Sequence, residues 1–157
     1  MSTRIGFGVD SHRLEAARRL VIGGVEIEHD YGLIGHSDAD VLIHAVIDAV
    51  LGAAGLGDIG QHFPDTDERY RDADSFVLLA ATGEIVYSAG FGFVNIDSTV
   101  CCEQPKLAPH RDAMRLRIAT ALAIDADAVN VKFTTGEEIG FVGRGEGIAA
   151  FAIALLS

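Results

Sequence analysis

Polar and apolar positions along this chain repeat with two different periods, and the changeovers mark its elements. Residues 3–10 alternate strictly: Ile5, Phe7 and Val9 take one side, Gly6, Gly8 and Asp10 the other, which predicts a strand. Carried two residues further, the second side also bears His12, and its glycines leave room for another backbone or a ligand. Residues 20–28, LVIGGVEIE, predict a tight hairpin turning at Gly23-Gly24. From Asp38 onward, Val41, Leu42, Ile43, Ala45, Val46, Ile47, Ala49, Val50 and Leu51 predict a helix that is apolar on most of its circumference. Ser37 or Asp38 is its expected N-cap, and Gly52 or Gly55 its end. A glycine- and aspartate-rich loop spans 57–67. A second helix is expected from Asp74-Ser75 to Ser88, a strand over 93–103, and a third helix from Pro109 to about Ile124. A strand over 129–135 follows. Beyond the link GFVGRGEG comes a last strand, GIAAFAIALLS, apolar on both faces.

No internal repeat, low-complexity tract or linker interrupts this order, so 1–157 is expected to be one domain. Three helices against four main strands predict an α+β fold. Its expected form is a four-stranded mixed β-sheet with helices on one face and a small β-hairpin. A final strand apolar on both sides needs cover, and no helix is left to supply it. Self-association over that face is the economical solution, so an oligomer is expected.

Composition narrows the partners. With 12 basic against 23 acidic residues, the net charge of −11 argues against nucleic acid or an anionic membrane as a partner. An anionic ligand would need local help from metal ions, a few cations or backbone N–H groups. No signal pattern precedes the first strand, and no apolar run is long enough to span a bilayer. The two cysteines, Cys101 and Cys102, are adjacent and form no disulfide framework. They read as small buried hydrophobes in a cytoplasmic protein.

The candidate chemistry sits where polar groups interrupt apolar segments. Asp40, His44 and Asp48 recur every four residues and so stack on one stripe of the first helix. Buried there, they must be paired, solvated or metal-bound. A lone core histidine is usually a satisfied hydrogen-bonder; the neighbours of His44 change that balance. Asp10 and His12 on one strand face, with His44, give a carboxylate and two imidazoles, a set that a catalytic zinc uses with one position left open. The same set serves a non-haem iron triad, so the ligands alone do not fix the metal. Asp40 and Asp48 are either charges on the helix surface or carboxylates that orient His44 from behind, with one of the two expected in the second role. Further polar clusters flanked by glycine are Gly35-His36-Ser37, Asp58-Ile59-Gly60, Phe63-Pro64-Asp65-Thr66-Asp67, Pro105-Lys106, Thr134-Thr135-Gly136-Glu137 and Gly143-Arg144-Gly145-Glu146-Gly147. Their N–H and hydroxyl donors suit a phosphate, and Glu137 suits a hard cation such as magnesium.

Taken in order, DSH at 10–12, GHSDAD at 35–40 with His44, GLGDIG at 55–60, FPDTD at 63–67, QPK at 104–106, TTGE at 134–137 and GRGEG at 143–147 resemble the 2-C-methyl-D-erythritol 2,4-cyclodiphosphate synthase family along the whole chain. The resemblance implies a lyase of the non-mevalonate (MEP) route to isoprenoid precursors. Such an enzyme converts 4-diphosphocytidyl-2-C-methyl-D-erythritol 2-phosphate to the cyclic diphosphate and releases CMP. It implies one zinc per active site on Asp10, His12 and His44, with magnesium or manganese arriving with substrate at Glu137. His36 and Thr135 would assist catalysis. The substrate would be met by Asp10, Ser11, His12, His36 and Ser37, and its methylerythritol part by Asp58, Ile59, Gly60, Phe63, Pro64, Asp65, Thr66 and Asp67. Cys102, Glu103, Gln104, Pro105, Lys106, Leu107 and Ala108, with Thr134, Thr135, Gly136 and Glu137, would hold the cytidine diphosphate. Phe141 and Arg144 complete the set. A homotrimer with active sites between subunits is implied, with an isoprenoid diphosphate as an occupant of the threefold-axis cavity near Arg144 and Glu146. Gly136 departs from the family's usual threonine, and Glu103-Gln104 is more polar than usual. Two rival readings use the same residues: a metal-dependent hydrolase or oxygenase, and a non-catalytic trimeric binder of isoprenoid diphosphates.

Overall fold

A computed structural model describes residues 2–157; Met1, which the one-domain expectation also spans, lies outside the described residues. In chain order the elements are β1 (Arg4–Ala16), β2 (Leu20–Ile22), β3 (Val25–Ile27), β4 (Tyr31–Leu33), α1 (Val41–Ala54), α2 (Ile59–His62), α3 (Ser75–Ser88), β5 (Phe93–Cys101), α4 (Arg111–Leu122), β6 (Val129–Thr134), α5 (Gly140–Gly143) and β7 (Gly147–Leu156). The main sheet has the order β4-β1-β7-β5-β6, and β2-β3 is a separate hairpin. β1 runs antiparallel to β4 and β7, and β5 antiparallel to β7. β5 and β6 are parallel, and α4 supplies the crossover that parallel neighbours require.

The mixed α+β sheet is as expected, but it holds five strands rather than four. The extra one, β4, has only three residues, too few for an alternating pattern to register. Three boundaries also move. The N-cap of α1 is Asp40, not Ser37 or Asp38, and Gly55 closes the helix in the left-handed conformation at φ 72°. Pro109 lies in a separate 3-10 turn, Ala108–His110, ahead of α4. Part of the glycine-rich link coils into α5. No helix among the described residues is long and apolar enough to cross a membrane.

α1 is buried around nearly its whole circumference because β1 and β7 lie on one side and α3 on the other. The glycines of β1 set how close it comes. A Cβ on Gly6 would fall 1.9 Å from the Ala49 carbonyl oxygen, and one on Gly8 2.0 Å from that of Ala45. Only glycine permits this backbone-to-backbone approach, and it brings His44 beside Asp10 and His12. The other sheet face carries Ile5, Phe7, Val9, Phe151 and Ile153 outward, with Phe7 still 62% exposed. The Phe7 and Phe151 rings stack there at 6.3 Å.

Candidate metal centre

Asp10 and His12 alternate onto the α1 side of β1, and His44 projects from the first turns of α1. One ligand atom from each lies within 4.8 Å of the other two. His12 Nε2 is 2.8 Å and His44 Nδ1 3.2 Å from the same Asp10 oxygen, Oδ2, and the two ring nitrogens are 3.4 Å apart. The far nitrogen of His12, Nδ1, is 2.9 Å from the Ile34 carbonyl. A carbonyl only accepts, so Nδ1 carries the hydrogen and Nε2 turns its lone pair inward. Acceptors converging on one point with no donor among them repel unless a cation or protons sit between. Without a cation, a proton shared between Asp10 and His12 takes part of that role. Burial works to raise the Asp10 carboxyl, but hydrogen bonds from His12 and His44 outweigh it and hold the group low. Burial works to lower the His12 imidazole, and its bond to Asp10 outweighs that and raises it. One oxygen and two imidazole nitrogens suit zinc or another borderline divalent ion.

The two histidines line a cleft of about 300 Å³ together with His36, Ser37, Ile59, Gly60, Phe63, Asp65, Tyr70 and Leu78. Nε2 of His36 is buried without a hydrogen-bond partner among the described residues, a state a bound polar ligand would relieve. Asp58 caps α2 by accepting from Gln61 N–H at 3.0 Å. Asp67 accepts from Arg69, at 2.6 Å from Nη2, and caps the following 3-10 turn. Pro64 and Thr66 lie in the same loop but do not line the cleft. Ser11 is exposed on the opposite face of β1 from Asp10 and His12, as strand alternation requires.

The expected nucleotide residues gather elsewhere. Cys102, Glu103, Pro105, Lys106, Leu107 and Ala108, with Phe133, Thr134 and Thr135, line a cleft of about 170 Å³ that shares no lining residue with the first. Gln104 lines another cleft instead, of about 330 Å³, with Arg144, His29 and Tyr31. Phe141 lines none of the three. Arg144 is paired with Glu146 at 2.7 Å. The Glu103 carboxylate accepts from Gly136 N–H at 2.8 Å and Glu138 N–H at 3.4 Å, bracing a turn in which Glu137 and Glu138 both have positive φ, 52° and 60°. Non-glycine residues resist that conformation. Glu137 N–H in turn donates to Thr135 Oγ1 at 3.2 Å. A Cβ on Gly136 would stand 2.5 Å from Gly143 N. Burial pushes the Cys102 thiol up to about 12, which fits an inert packing residue.

Neither Asp40 nor Asp48 orients His44, contrary to the spacing argument. Asp40 is fully buried and turned the other way, accepting from Gly23 N–H at 2.8 Å, Gly24 N–H at 2.7 Å and Ile43 N–H at 3.0 Å. As an N-cap it holds the β2-β3 turn against the start of α1. Asp48 accepts from Ile59 N–H at 2.8 Å, tying α1 to α2. The groups at the far nitrogen of His44 are Ser75 Oγ at 2.9 Å and Ser37 Oγ at 3.1 Å. Ser75, Tyr70 and Leu78 had no signal in the sequence as site residues. Tyr70 enters the cleft by an edge-on contact with Phe63, ring centroids 5.5 Å apart.

Comparison with known proteins agrees with this arrangement. A family model described as the YgbB family matches residues 3–157. A Geobacter sulfurreducens protein named 2-C-methyl-D-erythritol 2,4-cyclodiphosphate synthase is 58% identical over 153 residues, 98% of each chain. A Salinibacter ruber protein of the same name is 61% identical over 149 residues, 95% of each chain. The solved structure of a CDP complex of IspF from Plasmodium falciparum aligns with a TM-score of 0.87 at 32% identity, over 99% of this chain and 96% of that one.

Proposed function

The chain belongs to the YgbB family, and from that premise we propose that it catalyses the reaction its curated relatives are named for, forming 2-C-methyl-D-erythritol 2,4-cyclodiphosphate. The observation that carries the reading is the convergence of Asp10, His12 and His44 on one point, two of them lining a cleft, in a chain that matches those relatives over at least 95% of its length. The substrate is 4-diphosphocytidyl-2-C-methyl-D-erythritol 2-phosphate. An oxygen of its 2-phosphate attacks the β-phosphorus. The new P–O bond forms as the bond from the β-phosphorus to the bridging oxygen breaks, and CMP leaves with that oxygen.

Both reacting groups lie on one flexible polyol, so the protein acts by positioning and by meeting charge rather than as a covalent nucleophile. Ile59, Gly60 and Phe63 pack on the methylerythritol part. His36, with its free buried nitrogen, and Ser37 reach the phosphate oxygens. Thr135 and the braced turn around it hold the diphosphate, and Lys106, which has no ion-pair partner among the described residues, adds positive charge in an acidic chain. Zinc at Asp10, His12 and His44, with magnesium or manganese at Glu137, would supply charge that draws phosphate oxygens together and neutralises them.

The functional unit is a homotrimer. The uncovered Ile5, Phe7, Val9, Phe151 and Ile153 face supports this. So does the separation of the metal-side and nucleotide-side clefts within one chain, which a neighbour's cleft would complete. The test is to incubate the protein with zinc, magnesium and the cytidylyl substrate and resolve the products. CMP and the cyclic diphosphate in equal amounts support the reading. An acyclic hydrolysis product or oxygen uptake overturns it.

A further inference from the structure

Behind His44, on the side away from Asp10, stand two polar groups that make a chain of three with it, drawn from three different segments. His44 Nε2 lies 2.9 Å from Ser75 Oγ. Ser75 is fully buried at the first residue of α3, and its hydroxyl is bonded in turn to Asp38 Oδ1. Asp38 is itself fixed. It accepts from Ser75 N–H at 2.9 Å and Asp40 N–H at 3.1 Å, and its own N–H donates to the Ala73 carbonyl at 3.2 Å.

The direction of each hydrogen in this chain follows from its end. A carboxylate only accepts, so the Ser75 hydroxyl must donate to Asp38. That proton is then spent, and Ser75 Oγ can only accept from the ring. Nε2 of His44 therefore carries the hydrogen, and Nδ1 turns its lone pair toward Asp10 and His12. We propose that Asp38, acting through Ser75, is the positioning group of the metal centre, setting the tautomer and ring orientation of His44 before any ion arrives. The corresponding partner of His12 is the Ile34 carbonyl; at His44 the nearer hydroxyl, Ser75, is the one locked by a carboxylate, while Ser37 Oγ at 3.1 Å is free to accept alongside it. Such outer partners raise metal affinity by 10- to 100-fold in general. Asp38 and Ser75 are 37 residues apart in sequence, and the bond joins the start of α3 to the segment just ahead of α1. The inference rests on the proposed metal role of Asp10, His12 and His44.

The test measures the zinc dissociation constant of metal-free protein by chelator competition, for the unaltered chain and for Ser75→Ala, with the melting temperature of each metal-free form alongside. The expected result is binding weakened about tenfold or more in Ser75→Ala, with the metal-free melting temperatures within about 3 °C. Equal affinities would overturn the proposal while leaving the metal reading intact. An unaltered chain that binds no zinc would overturn both, and that outcome is distinct. Should Ser75→Ala fail to fold, nitrogen-15 NMR of the metal-free unaltered chain at about pH 9, above the ordinary imidazole range, decides the matter. A His44 tautomer protonated on Nε2 supports the relay; protonation on Nδ1 contradicts it.

Discussion

Gly8 of β1 lies so close under Ala45 of α1 that a Cβ on the glycine would sit 2.0 Å from the Ala45 carbonyl oxygen and 2.7 Å from Ala49 N. The contact is between backbones, so no side-chain rotation can relieve a larger residue. It also fixes the distance from Asp10, two residues along β1, to His44, the neighbour of Ala45. Gly8→Ala should therefore destabilise the fold by at least about 3 kcal/mol and weaken metal binding in whatever fraction remains folded. Urea unfolding with and without zinc measures both; a variant of unchanged stability would show that the approach is not the constraint.

Asp40 gives a pH signature. Burial, with the charge of Asp38 adding to it, pushes its carboxyl from 3.8 up to about 6 despite the N–H groups it accepts from. Between those values the folded chain holds a proton that the unfolded chain has released. Stability therefore falls as pH rises through that window. Asp40→Asn keeps the two bonds made by Oδ1, to Gly23 and Ile43, loses the one to Gly24, and cannot titrate. Its urea midpoint should fall less steeply than that of the unaltered chain from pH 3.8 to about 6. Parallel curves would contradict the assignment.

Phe7 is 62% exposed on the open sheet face and stacked on Phe151. Phe7→Lys should leave the fold of a single chain in place, because the side chain contributes nothing to the core. It should convert an assembly of three chains to single chains in sedimentation equilibrium, with turnover lost alongside. A trimer that survives the charge would place the contact elsewhere.

Glu103→Ala removes the carboxylate that braces the 136–138 turn. Two left-handed non-glycine residues, each costing about 1 kcal/mol or more, then lose their support. Affinity for cytidine diphosphate by calorimetry should fall about tenfold with little change in melting temperature, and Glu103→Gln should recover part of it. Unchanged affinity would dissociate the turn from nucleotide binding.

Much of this could be read from the chain itself, for reasons that differ by residue. Strict alternation placed Asp10 and His12 on one face, and the greasy run around His44 marked it as unusual. Both signals are local and survive into the structure. What the sequence hid was decided by the direction of single side chains and by a few particular tertiary contacts. The four-residue spacing of Asp40, His44 and Asp48 is real, yet Asp40 is the N-cap, and its side chain turns back to Gly23 and Gly24. Asp48 is claimed by Ile59 N–H. The Asp38–Ser75 contact has no periodic signal, because it exists only once α3 has packed against α1. β4 is too short to leave a pattern at all.

The most direct test of the central claim is the rate of CMP release by metal-stripped protein as zinc is returned, with magnesium and the cytidylyl substrate held in excess. No release is expected at the start, then a rise that saturates near one zinc per chain, with His44→Ala silent throughout. Full activity in the stripped protein, or full zinc-dependent activity in His44→Ala, would contradict it.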